Sequence, residues 1–470
     1  VTGTNQVLAT NTAAGTGGAH RTAEQIGHTE RGPRPLPALG EQRAAVEPAS
    51  VDTVLDNGLR VLVVRQPAVP MVELRLRIPF GSEDPTRPAR AELLAETLFT
   101  GTARRGRVEV DTDLAMVGGE LSAGVDPERL SIGGGALASG LDRLLDVLAD
   151  VLTSAAYPDG EIARERDRLV ERITMAEAQP GVIARKALQR KRFGDHPYAH
   201  EMPEAAEVAV VTSAQVRELH STAVVPRGAT LVLVGDVDPE STVRLVGGAL
   251  EGWRSDREAT ELKPLPEVRG DNLLLVHRPG AVQSQLRLSA RAIRRTDPRY
   301  PALQLANLAY GGYFSSRLVE NIREDKGYTY HARSSIEFTN TTASLLVDAD
   351  TASAVSAAAL WEMRYELGRF GLIPPTESEV ESVRQYAIGS LLTATSSQSG
   401  LASQLSALAG LGLGADWLRE HPGRLAAVTT EQVADVALEF FAPSAFTGVV
   451  VGDAEVLAKQ LTAIGGVDLP

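Results

Sequence analysis

The chain's hydrophobic pattern is written twice, and that repetition limits its possible folds more than any other feature. The first half opens on "LRVLVV" and "MVELRLRI", where Val72, Leu74, Leu76 and Ile78 alternate with Glu73, Arg75 and Arg77. That period of two predicts a strand buried on one face. Short strands follow over residues 120–125 and 129–136, then a helix whose Leu141, Leu144, Leu145, Leu148 and Leu152 share one face. A long charged helix at about 159–177 and the strand and turn "GATLVLVGDVD" close the half. The same order then begins again. "NLLLVHRP" and "QLRLSA" stand for the first strand pair, "GYTYHARSS" and "ASLLVDAD" for the second, and Leu360, Met363, Leu367 and Phe370 rebuild the apolar helix face. "PPTESEVESVRQYAIGSLL" echoes "YPDGEIARERDRLVERI", and "FTGVVVGD" ends the second half as "LVLVGD" ended the first.

A chain of 470 residues exceeds one ordinary core. The repeated mixture of strands and helices therefore predicts an α+β fold of two homologous sheet-plus-helices domains. Residues 1–50, rich in Thr, Gly, Ala and Pro without a hydrophobic period, read as a flexible N-terminal arm. The first domain is expected over 51–252 and the second over 272–470, with the charged, Pro-containing stretch 253–271 as the linker.

Composition removes several classes of function. A net charge of −13 argues against a nucleic-acid partner, which calls for a basic face. With no cysteine, the chain has no disulfide, thiolate metal site or cysteine nucleophile. No run approaches about 20 consecutive apolar residues. The first residues lack the basic start and apolar stretch of a secretory signal. A cytoplasmic chain without membrane contact is the expectation.

"ARAELLAETLFTGT" has the frame of a catalytic helix and the wrong residues inside it. Together with "LDNGLRVLVV", "FGDHPYAHEMP", "LVLVGDVD", "YGGYFSSRLVENIREDKGYTYHA" and the terminal "VVVGD", it makes residues 51–455 resemble the pitrilysin-type zinc peptidases, the inverzincins. The resemblance is to the small-subunit group that includes mitochondrial processing peptidase and bacterial two-subunit peptidases, and it implies half of a clamshell chamber. That family carries H-x-x-E-H, with both imidazoles on one helix face to hold Zn²⁺ and the Glu to activate its water. Anchoring on "LFTGT" puts Glu92 and Glu96 at the two His places and Ala95 at the base. The third ligand, a Glu about 75 residues further on, falls on Arg172. The resemblance thus implies a degenerate zinc site with no metal in this chain. The complementary charges lead us to expect the Arg172 guanidinium to fork onto one or both carboxylates, at a cost of about 3–5 kcal/mol for Arg172→Ala if the group is buried.

The other half of the family's active site is retained. "SSRLVENIREDKGYTY" places Arg323 and Tyr330 on the family's Arg/Tyr pair, whose implied work is to hold the substrate carbonyl and its oxyanion. "LSAGVD" brings Ser122 and Ala123 to a strand that relatives present to the peptide, with a plain edge strand as the alternative. Gly311 and Gly312 are expected in a loop beside the chamber or in a simple helix-start turn. His196 and His200 stand four apart, but Pro197 between them works against an aligned metal-binding pair. The resemblance implies the substrate-binding subunit of a heterodimeric zinc endopeptidase acting on peptides, its partner a homologous subunit bearing H-x-x-E-H and the zinc. A structural, core-like subunit and a peptide-binding homodimer remain the alternatives.

Overall fold

The computed structural model describes residues 48–260 and 262–470. Of the arm expected over 1–50, all but the last three residues lie outside the described residues. Each half of the remainder is built on a six-stranded sheet. In the first, β1 (Ser50–Val54), β2 (Arg60–Arg65), β3 (Met71–Pro79), β4 (Glu120–Val125), β5 (Arg129–Leu137) and β6 (Thr230–Gly235) lie in the order β1-β2-β6-β3-β5-β4. In the second, β7 (Leu273–His277), β8 (Gln283–Arg291), β9 (His331–Phe338), β10 (Ala343–Ala352), β11 (Thr447–Gly452) and β12 (Val467–Asp468) lie in the order β12-β7-β11-β8-β10-β9.

Five strands of each sheet correspond one to one, including the parallel pairs β2·β6 and β7·β11. Only the sixth strand differs. β1 pairs antiparallel with β2, whereas β12 pairs parallel with β7.

The alternation in β3 does what its sequence predicts: Val72, Leu74, Leu76 and Ile78 are buried in the first core. That core also takes α1 (Arg87–Thr97), α2 (Leu141–Ser154) and α3 (Asp159–Glu177) through residues such as Leu93, Leu148 and Leu169. The second core takes α5 (Tyr300–Asn307), α6 (Ser356–Leu372) and α7 (Glu377–Ala394).

The far face of each sheet is covered by a helix from the other half. α4 (Pro180–Phe193) sets Ala184 and Leu188 against Val449 and Val451 of β11. In return α8 (Gln398–Ala409) sets Ala402 and Leu405 against Leu62, Val64, Val232 and Val234 of β2 and β6. Each such leucine removes roughly 1.5–3 kcal/mol worth of apolar surface from water. Local sequence fixes where α4 stops and starts. Pro180 opens it, Arg190, Lys191 and Arg192 face the negative end of its dipole, and Gly194 leaves it at φ +58°.

Two elements depart from the sequence expectation. Trp253 is buried in the first core and donates its indole N–H to the Val224 carbonyl at 3.0 Å, so it is not part of an exposed connector. β9 starts at His331, after the whole of "GYTY". Gly327 turns at φ +63°, and the Thr329 hydroxyl accepts the His331 N–H at 2.9 Å, a local alternative to a sheet ladder.

Candidate functional site

The helix expected to carry the degenerate zinc motif is α1. It begins after Thr86 with Pro88 in its first turn, and it buries Ala91, Leu94 and Ala95 against the first core. Ala95, at the place of a catalytic base, is thus a core residue whose methyl group carries no proton chemistry. Glu92 and Glu96, one turn apart on one face, look toward α3. There Arg172 sets its guanidinium 2.9 Å from Glu96 Oε1.

Arg172 reaches one carboxylate, not two: among the described residues Glu92 has no ion pair. Burial and the neighbouring Glu96 charge push the Glu92 carboxyl up to about 7, with Arg172 opposing. The side chain of Arg172 is 56% exposed, so the condition for a costly replacement is not met. Arg172→Ala is expected to lower stability by no more than about 1 kcal/mol, read as a small shift in the thermal midpoint.

This donor set does not fit zinc. It offers two carboxylates of one helix, one of them pairing with a guanidinium and the other pushed toward its neutral form, and no imidazole. Among the described residues no group of three or more His, Cys, Asp or Glu is placed to hold a metal ion. His196 and His200 flank a short 3₁₀ turn over Pro197–His200, with His196 Nδ1 accepting the Tyr198 N–H at 3.2 Å and its Nε2 3.0 Å from the Lys263 carbonyl.

The "LFTGT" that follows α1 has a structural explanation. Thr102 donates to Asp150 of α2 at 2.6 Å, and Arg105 binds the same Oδ2 at 2.6 Å. Burial alone would raise the Asp150 carboxyl, but these bonds and those from Ser154 and Arg104 hold it down at about 2. The anchor fixes the exit of α1 against the neighbouring helix.

Arg323 and Tyr330 lie on the second half, on either side of a turn. Arg323 sits in a π-helical turn over Glu320–Asp325, its guanidinium 4.9 Å from the ring centroid of the exposed Phe314 and its Nε 3.2 Å from Glu324. Tyr330, in the segment that enters β9, is 94% exposed. Thr329 beside it donates to the Asp350 carbonyl at 2.5 Å, so an ordered backbone presents the phenol to solvent.

Gly311 and Gly312 end a second π-helical turn, Leu308–Gly312, at the close of α5. They neither start a helix nor form an open loop. A β-carbon on Gly311 would lie 2.9 Å from Cβ of Ser334 on β9, and one on Gly312 2.9 Å from Nδ2 of Asn307. These glycines let the two segments approach, and π-helical turns of this kind recur at functional sites.

Sequence reasoning missed Arg317. Its side chain, 9% exposed, donates to Glu379 of α7 at 2.7 Å and to the Ile373 carbonyl at 2.6 Å. Burial would raise the Glu379 carboxyl, but the Arg317 and Thr376 hydrogen bonds hold it at about 2. Arg317 thereby ties the Arg323-bearing segment to the second core. Its place in "SSRL", one turn and a half before Arg323, was the available signal.

Ser122 and Ala123 lie on β4, which among the described residues pairs only with β5 and stands at the edge of the first sheet. The Ser122 hydroxyl turns back onto the Gly133 carbonyl at 3.3 Å. The strand's outward N–H and C=O groups are available to an added strand.

Comparison with known families places this geometry. Residues 60–204 match "Insulinase (Peptidase family M16)", and residues 211–386 match "Peptidase M16 inactive domain". The chain belongs to peptidase family M16. This is the pitrilysin-type family that its motifs resemble. An uncharacterized zinc protease of Mycobacterium tuberculosis (strain ATCC 25618 / H37Rv) is 30% identical to the M16 chain over 312 residues, 65% of this chain and 70% of that protein. One from Streptomyces coelicolor is 28% identical over 286 residues, 59% of this chain and 62% of its own length.

Among solved structures, the peptidase M16 inactive domain from Pseudomonas fluorescens has a TM-score of 0.80 at 22% identity, covering 86% of this chain and 98% of that one. A protease from Helicobacter pylori has a TM-score of 0.78 at 19% identity over 86% and 99% of the two chains. Both share the fold. No described helix of the M16 chain is long and apolar enough to cross a membrane.

Proposed function

We propose that this M16 chain is the non-zinc subunit of a heterodimeric endopeptidase. It would contribute Arg323 and Tyr330 to an active site whose zinc and general base belong to a homologous partner bearing H-x-x-E-H. The observation that carries the reading is the Arg172–Glu96 ion pair at 2.9 Å, a cation among the positions where relatives hold a cation of another kind. With this pair and Ala95, the three positions that would carry the second imidazole, the third ligand and the base hold none of them.

Its second half offers what such a site still needs. The Arg323 guanidinium and the Tyr330 hydroxyl both donate hydrogen bonds, and the phenol stands out from the surface. Donors of this kind stabilise the negative charge that gathers on a carbonyl oxygen under attack by water. The free edge of β4 would take the peptide as an added strand, fixing its direction before the carbonyl meets the donors. A cytoplasmic location and peptide precursors as substrates accord with this reading.

The test is to purify the full chain alone and together with an H-x-x-E-H homologue from the same genome, then measure zinc and peptide cleavage. Expected are no cleavage by the chain alone and about one zinc per pair. Arg323→Ala or Tyr330→Phe in the pair should lower turnover about a hundredfold while the pair still forms. Undiminished turnover in both variants would leave a structural, core-like subunit as the better account.

A further inference from the structure

A cavity of about 720 Å³ opens in the second half, away from α1 and outside the Arg323–Tyr330 segment. α5, α9 (Ala415–Ala426), α10 (Thr430–Phe440) and the stretch 295–299 form its walls. Its volume suits a small-molecule ligand. One wall is a cluster of three rings. His421 stacks on Trp417, centroid 4.3 Å away at 18°, and Tyr300 lies beside both, 5.6 Å from His421 and 6.2 Å from Trp417.

Three guanidinium groups line the space, and two are already neutralised. Arg299 pairs with Asp297 and with Glu439, and Arg424 pairs with Glu420. Arg295 forms no ion pair among the described residues. Its guanidinium lies 4.4 Å from the Phe338 ring centroid and 5.9 Å from that of Trp417, and its buried Nε has no hydrogen-bond partner.

His421 is 3% exposed. Its Nε2 is 2.8 Å from Gln304 Oε1, an acceptor, so Nε2 carries the proton and Nδ1 the lone pair. That Nδ1 is buried and, among the described residues, has no partner. Burial, reinforced by Arg295 and Arg424, holds the imidazole down at about 4, so the ring is a neutral acceptor in ordinary buffers. A buried acceptor without a donor and a buried N–H without an acceptor are each costly to leave unmet.

We propose that this cavity binds a small organic anion, whose carboxylate or phosphate oxygens pair with Arg295 and whose own hydroxyl or N–H donates to Nδ1 of His421 once a small shift of the ring cluster uncovers that atom. Asp297 and Asp435 also line the cavity and set a limit on the ligand's charge. Asp297 already serves Arg299, which leaves the region around Arg295 and the ring cluster as the anion's place. The site depends on no partner and on no part of the proposed endopeptidase mechanism.

The test uses the full chain, with citrate and glycerol 3-phosphate as hydroxyl-bearing carboxylate and phosphate probes. Tricarballylate, which is citrate without its hydroxyl, and inorganic phosphate are their comparators. Binding is read by calorimetry at constant ionic strength and by quenching of Trp417 fluorescence, identified as the part of the signal lost in Trp417→Phe. Saturable binding of one hydroxyl-bearing probe is expected, at least about tenfold tighter than its comparator. Arg295→Gln should weaken it about tenfold or more, with Arg295→Lys recovering part of the loss.

Saturation by none of the four probes would overturn the proposal, as would equal binding by native protein and a folded Arg295→Gln variant. If Arg295→Gln does not fold, the hydroxyl comparison decides. Equal affinity for both members of each pair removes His421 from the site and the proposal with it.

Discussion

At the residue scale Glu92, Glu96 and Arg172 are a problem in placing charge. Arg172 answers Glu96 and leaves Glu92 beside a like charge in a partly buried position, so Glu92 is driven toward its neutral form at about 7. The sign of the consequence follows from linkage. Between the ordinary carboxylate value of about 4.3 and about 7 the folded chain holds a proton that the unfolded chain has lost, so stability falls as pH rises through that window. The drop is expected to be about 1–3 kcal/mol, complete above about pH 7. Thermal midpoints of the native chain and Glu92→Gln from pH 5 to pH 8 check it. His421, held down at about 4, adds a change of opposite sign common to both chains, so the difference between them is read. The variant should gain on the native chain as pH rises and melt higher at the alkaline end. A slope unchanged in Glu92→Gln would assign the pH dependence to another group.

At the element scale the helices that cover the far faces of the sheets matter more than their modest hydrophobicity suggests. α8 sets Leu405, 1% exposed, against β2 and β6 of the opposite half. Leu405→Ala is expected to cost about 2–4 kcal/mol, and the loosening should appear in β6 rather than in the second sheet. Amide hydrogen exchange resolved by peptide decides between them. The reciprocal helix α4 adds a polar lock, since Arg192, with its side chain 1% exposed, binds Glu337 of β9 at 2.6 Å. β9 is the free edge of the second sheet, and Tyr330 stands immediately before it. A helix of the first half thus braces the strand that follows the proposed donor.

At the scale of the whole molecule the halves are homologous in pattern but not independent in folding. Residues 48–252 alone would leave Leu62, Val64, Val232 and Val234 without α8, an apolar face that invites aggregation. Conversely, a chain cut by an inserted protease site within 255–260 is expected to run as one species in gel filtration, because α4 and α8 still cross between the halves. Separation of the fragments without denaturant would refute that interlock. Much of this was legible beforehand. Alternation in β3, the repeated order of strands and the Pro-led start of α3 are local facts, and hydrophobic period alone predicts the elements and the duplication. The resemblance anchored on "LFTGT" pointed to Glu92, Glu96 and Arg172, and the structure pairs Arg172 with Glu96; helix period by itself carries only the one-turn spacing of the two glutamates. The uninterrupted apolar runs of β6 and β11 suit strands covered on both faces, although only a closing strand was expected of each. No local signal said by what: an amphipathic helix records that it must bury a face, not whose sheet will receive it. The exchange of α4 and α8, the single rather than double reach of Arg172 and the unmatched Arg295 and His421 depend on distances between residues remote in sequence, and only the packed chain sets those.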